Sequence, residues 1–218
     1  MSEDLINYLE TFLTPRRQDL FQQVIKERTR FLTVVIEDVG HLHNTSAVMR
    51  SCDAFGVQDV HVIEELKGKR IDREIAMGAQ KWTSVKRYDA TKEALAQLKQ
   101  QGYRIVATTP HHTAHKLEDF KLDQPTALFF GSEKDGLTET VIEVADEYIY
   151  IPTYGFTQSL NISVCAAILL QELTHRMRNS TLDWQLKPED IKEIKTLWLH
   201  RNLKDYEALV KNYKAEKE

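Results

Sequence analysis

The 218-residue sequence is short of cysteine, of long apolar runs and of excess charge of either sign. Only Cys52 and Cys165 occur. Each sits within an apolar helical pattern, so small buried side chains are expected rather than a disulfide framework or a metal cluster. No apolar stretch approaches the roughly 20 residues needed to cross a bilayer, which argues against a membrane-spanning helix. The opening residues 1–10 are acidic and mixed rather than basic and then apolar, so no signal peptide is expected and a cytoplasmic location follows by default. The formal charge of -4 carries no global signature of nucleic-acid binding, which leaves any such case to local charge. The Gly-Lys-Ser/Thr ending of a Walker loop is missing, as is any G-x-G-x-x-G, so nucleoside triphosphates and dinucleotides are poorly supported.

What is present fits one α/β domain with short extensions: 42% hydrophobic and 28% charged residues, enough chain for a single core. Residues 1–30 have the spacing of two short helices, with Thr14-Pro15 as the second start. Strand-like runs follow at 31–36, 59–63, 85–88, 104–108, 127–130 and 148–151. Helical patterns lie between them at 47–55, 92–101 and 138–144, a basic loop and short helix occupy 67–82, and a long helix is expected at 159–177. Asn44-Thr45-Ser46 offers caps for the first of these, and Gly56 and Gly102 are placed to end helices. This alternation predicts a mostly parallel sheet covered on both faces, spanning residues 31–180, with an N-terminal helical extension over 1–30 and a C-terminal one over 181–218.

Three polar segments follow strands, where open α/β sheets place their ligands. The first, His43-Asn44-Thr45-Ser46-Ala47-Val48-Met49-Arg50, puts Arg50 off the apolar stripe of Val48, Cys52 and Phe55. From spacing, Arg50 is either a solvated arginine with Asn44 a cap, or a planar donor for phosphate or ribose. The second, Gly131-Ser132-Glu133-Lys134-Asp135-Gly136-Leu137, is either an ordinary strand-to-helix turn or one whose exposed amides approach a ligand. In the third, Gln158-Ser159-Leu160-Asn161-Ile162-Ser163 carries more polar groups than a cap requires, which suggests the floor of a polar pocket.

In order and spacing, the three segments resemble the three motifs of the SPOUT RNA ribose 2'-O-methyltransferases, over most of residues 16–178. They are most similar to the TrmH group, which acts on tRNA guanosine. Arg16-Arg17-Gln18-Asp19-Leu20 resembles its arginine pair, Gly78-Ala79-Gln80-Lys81-Trp82 another of its segments, and the run at 158–163 is the most diagnostic. The resemblance implies a SPOUT-type parallel sheet with a C-terminal deep trefoil knot, flanked by terminal helices, and a homodimer. It also implies S-adenosylmethionine as cofactor, without metal. Carried over, Thr108, Gly131, Ile151 and Leu160 would contact the cofactor. Arg50, Asn44, Glu133, Ser159 and Asn161 would form the catalytic site, and Arg16 and Arg17 would bind RNA. Leu42 stands where many family members have proline, a change expected to alter loop rigidity only.

The implied reaction is methylation of a ribose 2'-hydroxyl, most closely that of the D-loop guanosine (position 18) of tRNA. The alternatives are a ribosomal-RNA 2'-O-methyltransferase and a non-catalytic RNA-binding factor. Two basic groups, Arg16, Arg17, Lys26, Arg28, Arg30 and Lys67, Lys69, Arg70, Arg73, Lys81, Lys86, Arg87, are either solvated faces or a track for phosphates. His111, His112 and His115 lack the companions of a metal site and are expected as loop residues or RNA contacts.

Overall fold

A computed structural model of the chain describes residues 1–39, 42–65, 78–110, 114–157 and 159–217, without the side chain of Leu42. The expectations attached to Leu42, Lys67, Lys69, Arg70, Arg73, His111, His112 and Gln158 therefore lie outside the described residues. No helix among the described residues is long and apolar enough to cross a membrane.

Residues 29–184 form one unit. Its sheet comprises β1 (Leu32–Glu37), β2 (Asp59–Ile63), β3 (Ser84–Tyr88), β4 (Arg104–Thr108), β5 (His115–Lys116), β6 (Thr126–Phe130) and β7 (Glu147–Tyr150). The order is β3-β2-β1-β6-β4-β7-β5, and every pairing is parallel. β-branched and aromatic runs supply strands that are buried on both faces. Because side chains alternate, β1 sends Val34 and Ile36 into one core and Val35 into the other, and β6 divides Leu128 and Phe130 from Ala127 and Phe129. The first core is closed by α3 (Leu42–Ala54) and α6 (Ile162–Arg178), through Val48, Cys52, Ala166, Leu169 and Leu173. The second is closed by α4 (Thr91–Gln100) and α5 (Glu139–Val144), through Ala94, Leu98 and Val141.

Two expectations need correction. Helix α3 begins at Leu42, so Asn44, Thr45 and Ser46 lie inside its first turns rather than ahead of it. Helix α6 begins at Ile162, which leaves Ser159 and Leu160 in the preceding loop and makes Asn161 the cap. Of the expected loop and short helix over 67–82, the described part is a single 3-10 turn, Ala79–Lys81, entered through Gly78 at φ 100°.

Residues 1–28 and 185–218 form the second unit, made of α1 (Glu3–Glu10), α2 (Pro15–Glu27), α7 (Pro188–Asn202) and α8 (Tyr206–Ala215). Thr14 caps α2, with Pro15 in its first turn. Trp198 anchors this unit: Phe21 meets it edge to face at 5.2 Å, and the buried Arg28 guanidinium lies 5.6 Å from its ring.

Candidate active site at the carboxyl edge of the sheet

Residues from the three polar loops meet through side-chain amides and one carboxylate. Asn161 Nδ2 donates to Glu133 Oε1 at 2.5 Å and to Asn44 Oδ1 at 3.2 Å, and Asn44 Nδ2 donates to the same Glu133 oxygen at 3.1 Å. Asn161 Oδ1 accepts from the Ser163 amide at 2.9 Å and its hydroxyl at 2.6 Å, which fixes the amide's orientation and caps α6. Asn161 thus caps its helix and at once joins segments some thirty to over one hundred residues apart.

The 131–137 loop is closed on itself. Ser132 and Gly136 exchange main-chain hydrogen bonds at 3.0 and 2.9 Å, Asp135 N donates to Ser132 Oγ at 2.9 Å, and Gly136 takes φ 73°. A Cβ on Gly131 would stand 2.1 Å from the carbonyl carbon of Gly136, so only glycine permits this approach. Thr108, at the end of β4, donates to Phe129 O at 2.7 Å and ties its strand to β6. The N–H groups of Gly131 and Ile151 make no main-chain hydrogen bond among the described residues. Ile151 and Leu160 are half-buried.

The Arg50 guanidinium is exposed and makes no hydrogen bond or ion pair among the described residues. Six residues on from Asn44, it lies about 9 Å along α3 and about a third of a turn round the helix. Ser159 is exposed. Arg16 and Arg17 belong to the terminal unit, in the first turn of α2. Of the basic groups, Arg28 is buried, Arg30 and Lys86 pair with Asp59 at 3.3 and 3.8 Å, and Arg87 pairs with Glu64 at 3.3 Å; these are committed within the fold. Cys52 and Cys165 form no disulfide, and burial pushes Cys165 up to about 11, which keeps it protonated and inert at neutral pH.

A family model described as the SpoU rRNA Methylase family matches residues 31–171. The chain belongs to this family. Among related SpoU methylases, the tRNA (guanosine(18)-2'-O)-methyltransferase of Borreliella burgdorferi is 36% identical over 95% of this chain and 92% of its own length. The crystal structure of the A. aeolicus TrmH/SpoU tRNA modifying enzyme superposes with a TM-score of 0.76 at 31% identity, covering 86% of this chain and 97% of that one. The SpoU methyltransferase AviRb from Streptomyces viridochromogenes, crystallised with AdoMet, gives a TM-score of 0.62 at 25% identity, covering 72% of this chain and 62% of that one.

One carboxylate went unnoticed in the sequence. Glu37, at the last position of β1, is 1% exposed and accepts from Thr91 and Thr138. A charge closing an otherwise apolar strand was the available signal.

Proposed function

We propose that this SpoU methylase transfers the methyl group of S-adenosylmethionine to the ribose 2'-hydroxyl of guanosine 18 in tRNA. The observation that carries the chemistry is the Asn44–Glu133–Asn161 set, which joins the first turns of α3 and the cap of α6 to the 131–137 loop, at the edge where the sheet leaves Gly131 and Ile151 N–H groups to spare. The choice of tRNA rests on reach: similarity to the B. burgdorferi tRNA enzyme covers 95% of the chain, terminal helices included, whereas the family model stops at residues 31–171.

These groups fit a purine nucleoside. Ring nitrogens accept from main-chain N–H donors, while the half-buried Ile151 and Leu160 side chains suit its apolar faces. Gly131, Ile151 and Leu160, with Thr108 holding its strand in place, would bind the cofactor, which supplies a methyl group already activated by a sulfonium. What remains for the protein is alignment and charge. Asn44, Ser159 and Asn161 supply hydrogen-bonding groups around the 2'-hydroxyl, and Glu133 keeps the loops joined. A guanidinium holds its proton too tightly to be an effective base. Arg50 therefore orients the hydroxyl and adjacent phosphate and stabilises the developing alkoxide, while the hydroxyl proton leaves to solvent as the methyl group passes from sulfur to oxygen. Arg16 and Arg17 contribute phosphate contacts from the terminal unit.

The same reading includes a C-terminal trefoil knot and a homodimer. Val164 and Ile168, one turn apart on α6, and Tyr154 and Phe156 on the loop before it are exposed, an apolar surface that a second copy would cover.

The test is transfer of labelled methyl from S-adenosylmethionine to unmodified total tRNA and to ribosomal RNA, with nucleoside analysis of the product. The expected product is 2'-O-methylguanosine in tRNA, reduced about 100-fold or more in Arg50→Ala with cofactor binding intact. Arg50→Lys is expected to be similarly slow; near-normal turnover would remove the need for a planar guanidinium. Labelling of ribosomal RNA alone would replace the substrate, and transfer to neither would leave an RNA-binding factor.

A further inference from the structure

The exit of the 131–137 turn is fastened by a group with no part in the chemistry above. Glu37 Oε2 accepts the Thr138 N–H at 2.8 Å, and Oε1 accepts the hydroxyls of Thr138 at 2.8 Å and Thr91 at 2.6 Å. A carboxylate this deeply buried is tolerated because donors meet both of its oxygens. Thr138 immediately follows Leu137, and Gly136 and Leu137 press on Gly131 so closely that a Cβ there would meet Leu137 N at 2.3 Å. Movement of Thr138 is therefore transmitted through two peptide units to Gly131. The third bond leads elsewhere, to the first residue of α4, a helix that carries none of the site residues.

We propose that Glu37 is a positioning residue for the cofactor, acting through Thr138 to hold the 131–137 turn in the form that presents the Gly131 N–H; this rests on the methyl-transfer reading. The two threonines provide an internal control. Thr138→Val and Thr91→Val each remove one hydroxyl donor from the same Glu37 oxygen, but only the first acts on the turn.

Thr138→Val is expected to weaken S-adenosylhomocysteine binding, measured by titration calorimetry, by about 10-fold and to raise KM for S-adenosylmethionine comparably, leaving kcat within about twofold. Thr91→Val is expected to keep wild-type affinity. In hydrogen exchange, the Ser132 and Gly136 amides should exchange faster in Thr138→Val and not in Thr91→Val. Glu37→Gln can keep the arrangement, its oxygen facing the Thr138 N–H and its NH2 donating to hydroxyls that turn to accept. It should stay close to wild type where Glu37→Ala does not. Equal affinities and equal exchange in the two threonine variants would overturn the proposal, reducing Glu37 to a fold-stabilising group. An exchange contrast in a protein that binds no S-adenosylhomocysteine would overturn the cofactor role together with the methyl-transfer reading, while leaving the fastening of the turn in place.

Discussion

Gly131 shows how little room a single position leaves. The obstacle to a side chain is the backbone of Gly136 and Leu137, which cannot rotate aside as a flexible side chain would. Gly131→Ala must therefore open the Ser132–Gly136 closure. Its expected signature is loss of S-adenosylhomocysteine binding by about 10-fold or more in calorimetry, with a cooperative thermal unfolding transition retained. Asn44 illustrates the limit of reading residues singly. Its type and place suited a helix cap, and its actual partners, Glu133 and Asn161, come from loops far along the chain. Only the parallel strands that bring those segments to one edge make such partners available, so local spacing left both a cap and a site open. Glu37 was hidden for the same reason: its donors, Thr91 and Thr138, lie 54 and 101 residues away.

At the level of elements, the legible ones are those whose signals are local. Helix α4 ends in a Schellman turn: Tyr103 N donates to Leu98 O at 3.0 Å, Gly102 N donates to Lys99 O at 3.0 Å, and Gly102 takes φ 82°. A Cβ there would meet nothing within 4 Å, so Gly102→Ala isolates the backbone effect. It is expected to cost about 1 kcal/mol and to lower Tm by about 2–4 °C in scanning calorimetry without changing methyl transfer. Gly56 ends α3 in the same way at φ 78°, with Val57 N donating to Cys52 O at 2.8 Å. Both stops were readable from glycine alone. The short β5 was not, because His115 and Lys116 are exposed and have no apolar pattern; pairing with β7 makes them a strand. The start of α3 was misplaced because Asn44, Thr45 and Ser46 favour caps by intrinsic preference, and here they occupy helical turns instead.

Stability of the whole molecule carries a pH dependence set inside the sheet. His61 on β2 is completely buried, stacked on Tyr88 with ring centroids 5.6 Å apart and Nδ1 2.9 Å from the Tyr88 hydroxyl. Burial, aided by the charge of Lys86, pushes the imidazole down to about 3, while burial first, then Glu93 and Asp59, push Tyr88 up to about 12. A neutral imidazole and a protonated phenol therefore share this hydrogen bond. Unfolded, the same histidine titrates near its ordinary value of 6.5. Below that pH the unfolded chain takes up a proton that the folded chain refuses. The His61 contribution is thus complete above about pH 6.5 and falls toward pH 3 by up to about 1.4 kcal/mol per unit. Urea unfolding between pH 7.5 and 5 should show a steeper loss for the wild type than for His61→Gln; parallel curves would mean that the folded protein accommodates the charge.

The order of the strands also governs when the chain can fold. β1 is flanked by β2, made soon after it, and by β6, where the partner of Val34 is Leu128. At roughly 5–20 residues per second of synthesis, the ninety-odd intervening residues hold one edge of the most buried early strand open for roughly 5–20 s. During that interval the main-chain N–H and C=O groups on that edge of β1 stay unpaired beside the uncovered side chains of Leu32, Val34 and Ile36, which makes this stretch of the newborn chain open to pairing with other strands until β6 is made.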